Sequence, residues 1–345
     1  MRVAVIGQAA FGEAVLKRLL DDGHQVVGVS APAPADSARP DALWAAAEAA
    51  SVPVVDTRAL KGADGLDRWR ALGADLAVMA FVTEILPGEL FDIPTNGTIQ
   101  YHPSLLPLHR GSSAMNWPII FGRDETGLTI FWPDDGIDTG PILLQERCPI
   151  DPDDTVVSLY FNKLFPMGVE AMAKAVRLVE SGEAPRIPQN HAIATYEPPC
   201  RDEHALIPWH APADRIYALI RGCNSQPGAW TTFRGKKLRI FDCRLSTQQE
   251  PGMPGRVLRV DDEGLDVRLN GGAGITTSGL FYFPSADLIV NGNFGGTNST
   301  CKAFIGESIT LTGTTQQTVR VEGCAALGLD PDTMLPQVRV VRLVE

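Results

Sequence analysis

The 345-residue sequence lacks several signals that would place it quickly. Its six cysteines are scattered, and no two of them form a CxxC pair. That spacing argues against a zinc site and leaves reduced thiols as the expectation. Positive charge is scarce: 30 Lys and Arg stand against 41 Asp and Glu, a formal net charge of -11. Nucleic-acid binders rely on a basic face, so DNA or RNA is not expected as a partner. No apolar run reaches the length of a membrane span. Residues Met1 to Gly7 read as a strand rather than a leader peptide, so a cytoplasmic protein without membrane attachment is expected. The GxSxG signature of a serine nucleophile is missing. The turn Gly7-Gln8-Ala9-Ala10-Phe11-Gly12 lacks the middle glycine of GxGxxG. Ala9 stands where the backbone would approach a pyrophosphate, so NAD is not expected as a cofactor.

What is present is the balance of a soluble globular protein, with 44% hydrophobic and 21% charged residues in a length that suits two domains. Val3 to Ile6, Gln25 to Val29, Val54-Val55 and Leu76 to Ala80 are short apolar runs that read as buried parallel strands. Helical spacing over Gly12 to Leu20 and over Asp41 to Ala50 separates some of them, the pattern of an α/β sheet. Ser113 to Phe121 suits a further helix, and Gly127 to Trp132 and Leu143 to Arg147 suit two more strands. A long helical segment is capped at Asp154-Thr155 and runs to about Glu180. Gly182 to Cys200 carries Pro185, Pro188, Pro198 and Pro199 and reads as a linker, with domains over 1–200 and 201–345. Beyond it come a helix over Pro212 to Arg221 and hairpin patterns at 229–241 and 254–269, which suggest a small β-barrel. Weak strands over Gly271 to Thr318 cannot be assigned individually.

The chemistry centres on Gln100-Tyr101-His102-Pro103-Ser104-Leu105-Leu106-Pro107-Leu108-His109-Arg110-Gly111. In an extended segment alternate side chains share a face, so Gln100 presents an amide beside the His102 imidazole. The end of a strand is where an open α/β sheet builds its ligand site. A second polar loop, Asp134-Asp135-Gly136-Ile137-Asp138-Thr139-Gly140, can supply the carboxylate that orients a proton-handling histidine. An amide near such a histidine can hold a developing oxyanion. These features point to acyl transfer or hydrolysis without a covalent intermediate. A Ser104–His102 pair, a metal held by His102, His109 and Asp138, and a purely structural His–Asp pair are the other readings that the residue types admit. His109 and Arg110 read as loop-structuring or solvent-facing. The apolar loop Phe81-Val82-Thr83-Glu84-Ile85-Leu86-Pro87 is either core or a wall for a flat ligand.

The segments His-Pro-Ser-Leu-Leu-Pro at 102–107, His109-Arg110-Gly111 and Asp-Asp-Gly-Ile-Asp-Thr-Gly at 134–140 resemble the 10-formyltetrahydrofolate-dependent formyltransferase family. Within it the likeness is strongest to the N-terminal hydrolase domain of 10-formyltetrahydrofolate dehydrogenase. Val3 to Gln8, Leu164-Phe165-Pro166, Ala194 to Glu197 and Pro227 to Trp230 extend it over about the first three-quarters of the chain. The resemblance implies a Rossmann-like α/β formyltransferase domain followed by a small oligonucleotide/oligosaccharide-binding-like β-barrel. It implies 10-formyltetrahydrofolate as cosubstrate, with neither NAD nor a metal taking part. His102 and Asp138 match the catalytic histidine and aspartate. Phe81, Val82, Ile85, Leu86 and Pro87, with Asp134, Asp135, Gly136, Ile137 and Thr139, match the loops that hold the pteridine, and Ser104 joins them from the His102 turn. Transferases of the family carry Asn two residues before the histidine, the hydrolase domain carries an apolar residue, and this chain has Gln100. Water is the expected acceptor of the formyl group, a small amine the next, and methionyl-tRNA the last, because 31–52 holds Arg39 as its one basic residue. A folate-binding protein without catalysis is the alternative of another class. No aldehyde-dehydrogenase segment follows in these residues, so oxidation is not expected of them. Oligomeric state has no signal in the sequence.

Overall fold

The computed structural model describes residues 1–34, 39–233, 235–246, 253–261, 264–268, 274–277, 280–291 and 303–312. The chain divides into two compact units. The first comprises Met1–Pro118, Arg123–Pro152 and Val157–Pro199. The second holds Ile119–Gly122, Asp153–Val156 and the chain from Cys200 onward.

The first unit is built on strands β1 (Arg2–Gly7), β2 (Gln25–Ala31), β3 (Val54–Asp56), β4 (Leu76–Ala80), β5 (Thr98–His102), β6 (Glu125–Phe131) and β7 (Ile142–Pro149). They form one seven-stranded sheet in the order β3-β2-β1-β4-β5-β6-β7. β1 to β5 run parallel to one another, and β6 and β7 close the sheet antiparallel. Helices α1 (Ala9–Asp21), α2 (Ala42–Ala49) and α3 (Ala63–Ala71) fall among the first strands, and α4 (Asn116–Ile120) lies between β5 and β6. After β7, α5 (Val156–Leu159) passes through a π-helical turn at Tyr160–Leu164 into α6 (Phe165–Glu180).

The strand sequences explain the layering. β4, Leu-Ala-Val-Met-Ala, is buried at every position, as a central parallel strand with both faces covered must be. Side chains alternate faces along a strand. Val3, Val5, Leu76, Val78, Ile99 and Tyr101 therefore join Phe11, Val15 and Leu16 of α1 and Met172 and Val176 of α6 in one cluster. Ala4, Ile6, Ala77 and Met79 go the other way, onto Leu66 and Trp69 of α3. The apolar pattern gives no sign of α3: apart from Gly65, Leu66 and Trp69 all of it is exposed.

Because Ile99 and Tyr101 enter the first cluster, Gln100 and His102 fall on the opposite face of β5. Gln100 pairs with Met79 of β4 and Phe131 of β6, and His102 pairs with Thr129. The chain leaves β1 toward β2 and β3 on one side and returns to β4 and β5 on the other, so the carboxyl ends of β1 and β4 flank the switch point of the sheet, with β5 next to β4. The β4 loop is tied to the β1 turn there, with Thr83 Oγ1 donating to Gln8 Oε1 at 3.3 Å. Ala9 adopts φ 55 in that turn. Its N–H donates to both carboxylate oxygens of Asp41, at 3.1 and 2.9 Å, and Asp41 also caps α2 by accepting from the Leu43 N–H at 2.9 Å.

Of Gly182 to Cys200, read as a linker, all but Cys200 belongs to the sheet unit. Ile187 and Ile142 exchange backbone hydrogen bonds at 2.8 and 2.9 Å, and Tyr196 bridges to Arg110. In the second unit, α7 (Ala213–Gly222) buries Ile216, Tyr217, Leu219 and Ile220 against Ala205, Ile207, Leu238 and Ile240. Strands β8 (Ala229–Phe233) and β9 (Lys236–Ile240) form the expected hairpin, with Gly235 at φ 79. Strands β10 (Arg244–Ser246), β11 (Val257–Asp261), β12 (Gly264–Arg268) and β13 (Gly274–Thr277) form a sheet in the order β10-β13-β12-β11. β14 (Leu280–Asn291) and β15 (Ala303–Thr312) pair with each other. Among the described residues these ladders do not close on one another. Much of the stretch expected to hold weak strands, and everything from 313 onward, lies outside the described residues.

Candidate active site

Three loops meet here, and each owes its shape to short-range chemistry: those after β4 and β5 leave the carboxyl ends of parallel strands, and that after the antiparallel β6 touches both. The first follows β4. Phe81 sits at φ 62 and is 38% exposed, and Ile85 is 79% exposed. Val82 and Leu86 turn inward onto the α3-side core, and Pro87 precedes a short 3-10 turn at Gly88–Leu90. The apolar loop is thus part core and part exposed wall.

The second loop follows β6. Asp134 Oδ1 accepts from the Gly136 N–H at 3.1 Å and from Thr139 Oγ1 at 2.5 Å, closing an Asx-type turn. Gly136 packs so tightly on Thr139 that a Cβ there would lie 2.0 Å from its Oγ1, and one on Gly140 would lie 1.8 Å from the Trp132 carbonyl. Asp135 and Ile137 are left on the surface, Ile137 at 49% exposure. The Asp135 carboxylate lies directly over Gly88, so the first two loops touch.

The third loop carries His102. The imidazole is buried, with Nε2 2.9 Å from the His109 carbonyl oxygen. A carbonyl only accepts, so Nε2 carries the hydrogen of the neutral ring and Nδ1 keeps its lone pair. Nδ1 lies 3.5 Å from Asp138 Oδ2. Asp138 is itself buried and held at φ 55, and its Oδ2 accepts from the Gly111 N–H at 2.8 Å. A carboxylate in that place opposes the charge of a protonated His102. Gln100 occupies the expected face of β5, half-buried.

Ser104 is fully buried, and its hydroxyl donates to the Leu108 carbonyl at 2.6 Å. Its carbonyl accepts from Thr129 Oγ1 at 2.7 Å. The hydroxyl structures the turn and is not paired with His102. Arg110 and His109 are both buried, so the loop-structuring alternative holds for them and the solvent-facing one does not. Arg110 Nη2 donates to Gln189 Oε1 at 2.7 Å and lies 3.1 Å from His191 Nδ1. Gln189, 5% exposed, donates its amide hydrogens to the carbonyls of Asp138 at 2.9 Å and Gly140 at 2.7 Å. It is the brace that holds the Asp138 loop, and sequence reading passed over it. The one signal for it was an amide among the prolines of a supposed linker.

Burial lowers the pKa of His109 below its ordinary value, and the nearby Glu197 carboxylate partly offsets this. Burial also pushes the Tyr101 phenol well up. Among the described residues, no group of three His, Cys, Asp or Glu side chains is placed to hold a metal.

The pattern of the family described as "Formyl transferase" matches residues 1–176, and that of "Formyl transferase, C-terminal domain" matches 200–276. This chain belongs to the formyl transferase family. A cytosolic 10-formyltetrahydrofolate dehydrogenase of Mus musculus is 46% identical over 252 residues, covering 72% of this chain and 28% of that protein. A methionyl-tRNA formyltransferase of Syntrophus aciditrophicus is 36% identical over 275 residues, covering 78% of this chain and 88% of its own. The chain thus spans under a third of the dehydrogenases it matches and most of the shorter transferase. Among solved structures, an N-formyltransferase from Helicobacter canadensis, in complex with folinic acid and dTDP-3-aminofucose, superposes with TM-score 0.62 at 18% identity. It covers 80% of this chain and 98% of its own. That likeness is one of fold. The formyl transferases are enzymes, and the α/β sheet with its helices is the architecture they share.

Proposed function

We propose that this chain binds 10-formyltetrahydrofolate and removes its formyl group, with water as the acceptor. The observation that carries the reading is the setting of His102: Nε2 lies 2.9 Å from a carbonyl oxygen, which leaves Nδ1 to face a buried carboxylate in a formyl transferase sheet. Nδ1 takes the proton of the attacking water as oxygen adds to the formyl carbon, and Asp138 balances the imidazolium. Gln100 donates its amide N–H to the developing oxyanion. The bond to the folate nitrogen then breaks, the imidazolium returns its proton to that nitrogen, and formate and tetrahydrofolate leave.

The fit to a folate rests on the first two loops. Phe81, Ile85 and Ile137 keep apolar surface exposed on loops that touch at Gly88 and Asp135. A flat pteridine needs such a wall beside polar groups, which Asp134, Asp135 and Thr139 supply. Val82, Leu86, Pro87 and Gly136 shape these loops, and Ser104 shapes the histidine turn. We assign no role to NAD, because Asp41 already takes the N–H at the start of α1. The proton steps need no metal. Domains over 1–200 and 201–345 follow the reading of the sequence, the second as a small β-barrel of the oligonucleotide/oligosaccharide-binding type. We place the protein in the cytoplasm. Among the described residues no helix is long and apolar enough to cross a membrane.

Transfer to an amine is the second reading, favoured by the likeness to a methionyl-tRNA formyltransferase over 88% of that protein. A small amine fits it better than tRNA, because residues 31–52 offer phosphates little positive charge. The deciding experiment is incubation with 10-formyltetrahydrofolate alone, following tetrahydrofolate and formate. Release of both supports hydrolysis. Release that requires an added amine moves the assignment to transferase, and binding without turnover under either condition leaves a folate-binding protein.

A further inference from the structure

A second buried histidine–carboxylate pair lies one turn from the first. His109 Nδ1 is 3.2 Å from Glu197 Oε2, with side chains 10% and 13% exposed. Arg123 and His102 also act on the His109 ring electrostatically. Its backbone is held at φ 57, a left-handed conformation that glycine and asparagine adopt more readily than histidine. Such a conformation persists only where surrounding contacts enforce it. Here one segment supplies several of them. The His109 N–H donates to Thr195 Oγ1 at 2.8 Å, the Arg110 N–H donates to the Thr195 carbonyl at 3.1 Å, and Thr195 N–H donates to the Pro107 carbonyl at 3.1 Å. Glu197 adds a close side-chain contact, its Oε2 3.2 Å from the ring nitrogen. The product of this anchoring is the direction of the His109 carbonyl, which lies 2.9 Å from His102 Nε2.

We propose that Glu197 is a positioning residue that, by anchoring the His109 ring, aims the His109 carbonyl at His102 and so selects which nitrogen of His102 is free to take a proton. The inference rests on the reading of His102 as the base. A neutral imidazole has two tautomers, and the hydrogen bond at one nitrogen decides the other. With the carbonyl in place Nε2 holds the hydrogen and Nδ1 is the base beside Asp138. If the turn relaxes, the carbonyl moves off, Nδ1–H turns to the Asp138 carboxylate, and the lone pair points away from the reacting atoms. The cost appears in turnover, because the wrong tautomer binds folate as well as the right one.

The test uses the full chain labelled with 15N-histidine. Ring nitrogen shifts of His102 report its tautomer in the unliganded protein, where no turnover is needed. Glu197→Ala is expected to move His102 from the Nε2–H form to a mixture rich in Nδ1–H. It is expected to lower kcat by about tenfold, the loss of one hydrogen bond, with tetrahydrofolate affinity unchanged. Glu197→Gln keeps an acceptor for the ring and is expected to retain the wild-type tautomer, which guards against a misfolded alanine variant. His109→Gly in the Glu197→Ala background restores both tautomer and rate, because glycine takes the left-handed backbone without an anchor. Wild-type tautomer and rate in Glu197→Ala would overturn the proposal. So would a slowed variant whose tautomer is unchanged, or a double variant no better than Glu197→Ala. If the wild-type protein releases no tetrahydrofolate, the proposed function fails while the tautomer result stands by itself.

Discussion

The two histidine–carboxylate pairs share residue types and burial, yet the backbone gives them different surroundings. At His102 a carbonyl takes one ring nitrogen, and the carboxylate stands 3.5 Å from the other. At His109 the ring goes to the carboxylate, and what reaches the first pair is the residue's own carbonyl. A side chain that delivers a proton must have a nitrogen left open, and one that sets a loop need only be held. Under the proposed function the same His and Glu or Asp are reactive in one place and structural a few residues away, and the partner of the second nitrogen tells them apart.

The largest effect expected at the first pair is that of His102→Ala. Turnover of 10-formyltetrahydrofolate should fall by about 10²- to 10⁴-fold with the fold intact by circular dichroism, and Asp138→Ala should fall in the lower part of that range. A rate near wild type for either would end the assignment of the pair. Next comes Gln100→Ala, which should lower kcat by about 10²-fold while KM for the folate changes little, because the bond to oxygen forms mainly in the transition state. An unchanged kcat would leave Gln100 structural. Smaller again is a shift in melting temperature. Tetrahydrofolate at a hundred times its Kd should stabilise the protein by about 2.7 kcal/mol, and NADP should give no shift. A shift with NADP alone would reverse the ligand assignment.

The smallest effect sharpens the contrast from the second pair. Burial lowers the pKa of His109 in the folded chain. The unfolded chain then binds more protons than the folded one below about pH 6.5, so stability contributed by neutral His109 is full above that pH and is lost as pH falls toward the folded value. Urea midpoints measured from neutral to mildly acidic pH should fall less steeply in His109→Asn than in wild type. Parallel curves would show that His109 does not titrate differently on folding.

Much of this arrangement was legible in the chain. Runs such as Leu76 to Ala80 declared central strands because both faces are apolar. The alternation of Ile99 and Tyr101 with Gln100 and His102 put the polar pair on one face. α3 was hidden because four of its nine residues are charged and few of its side chains enter the core. Arg110 and Gln189 were hidden for another reason. A buried polar residue has the same letter as an exposed one, and only the partner shows which it is. The contact of Asp135 with Gly88 joins loops far apart in sequence, and no local pattern encodes it.

Asp41 carries a consequence for engineering. Its carboxylate stands at the start of α1, where dinucleotide-binding α/β folds seat a diphosphate, and it joins two helix starts at once. The frame has in effect an internal counter-ion in its anion slot. Converting the fold to hold a dinucleotide would require exchanging Ala9 for glycine and also removing Asp41. That removal would undo the cap of α2 along with the blockade, so the vacated slot would come with a loosened neighbour.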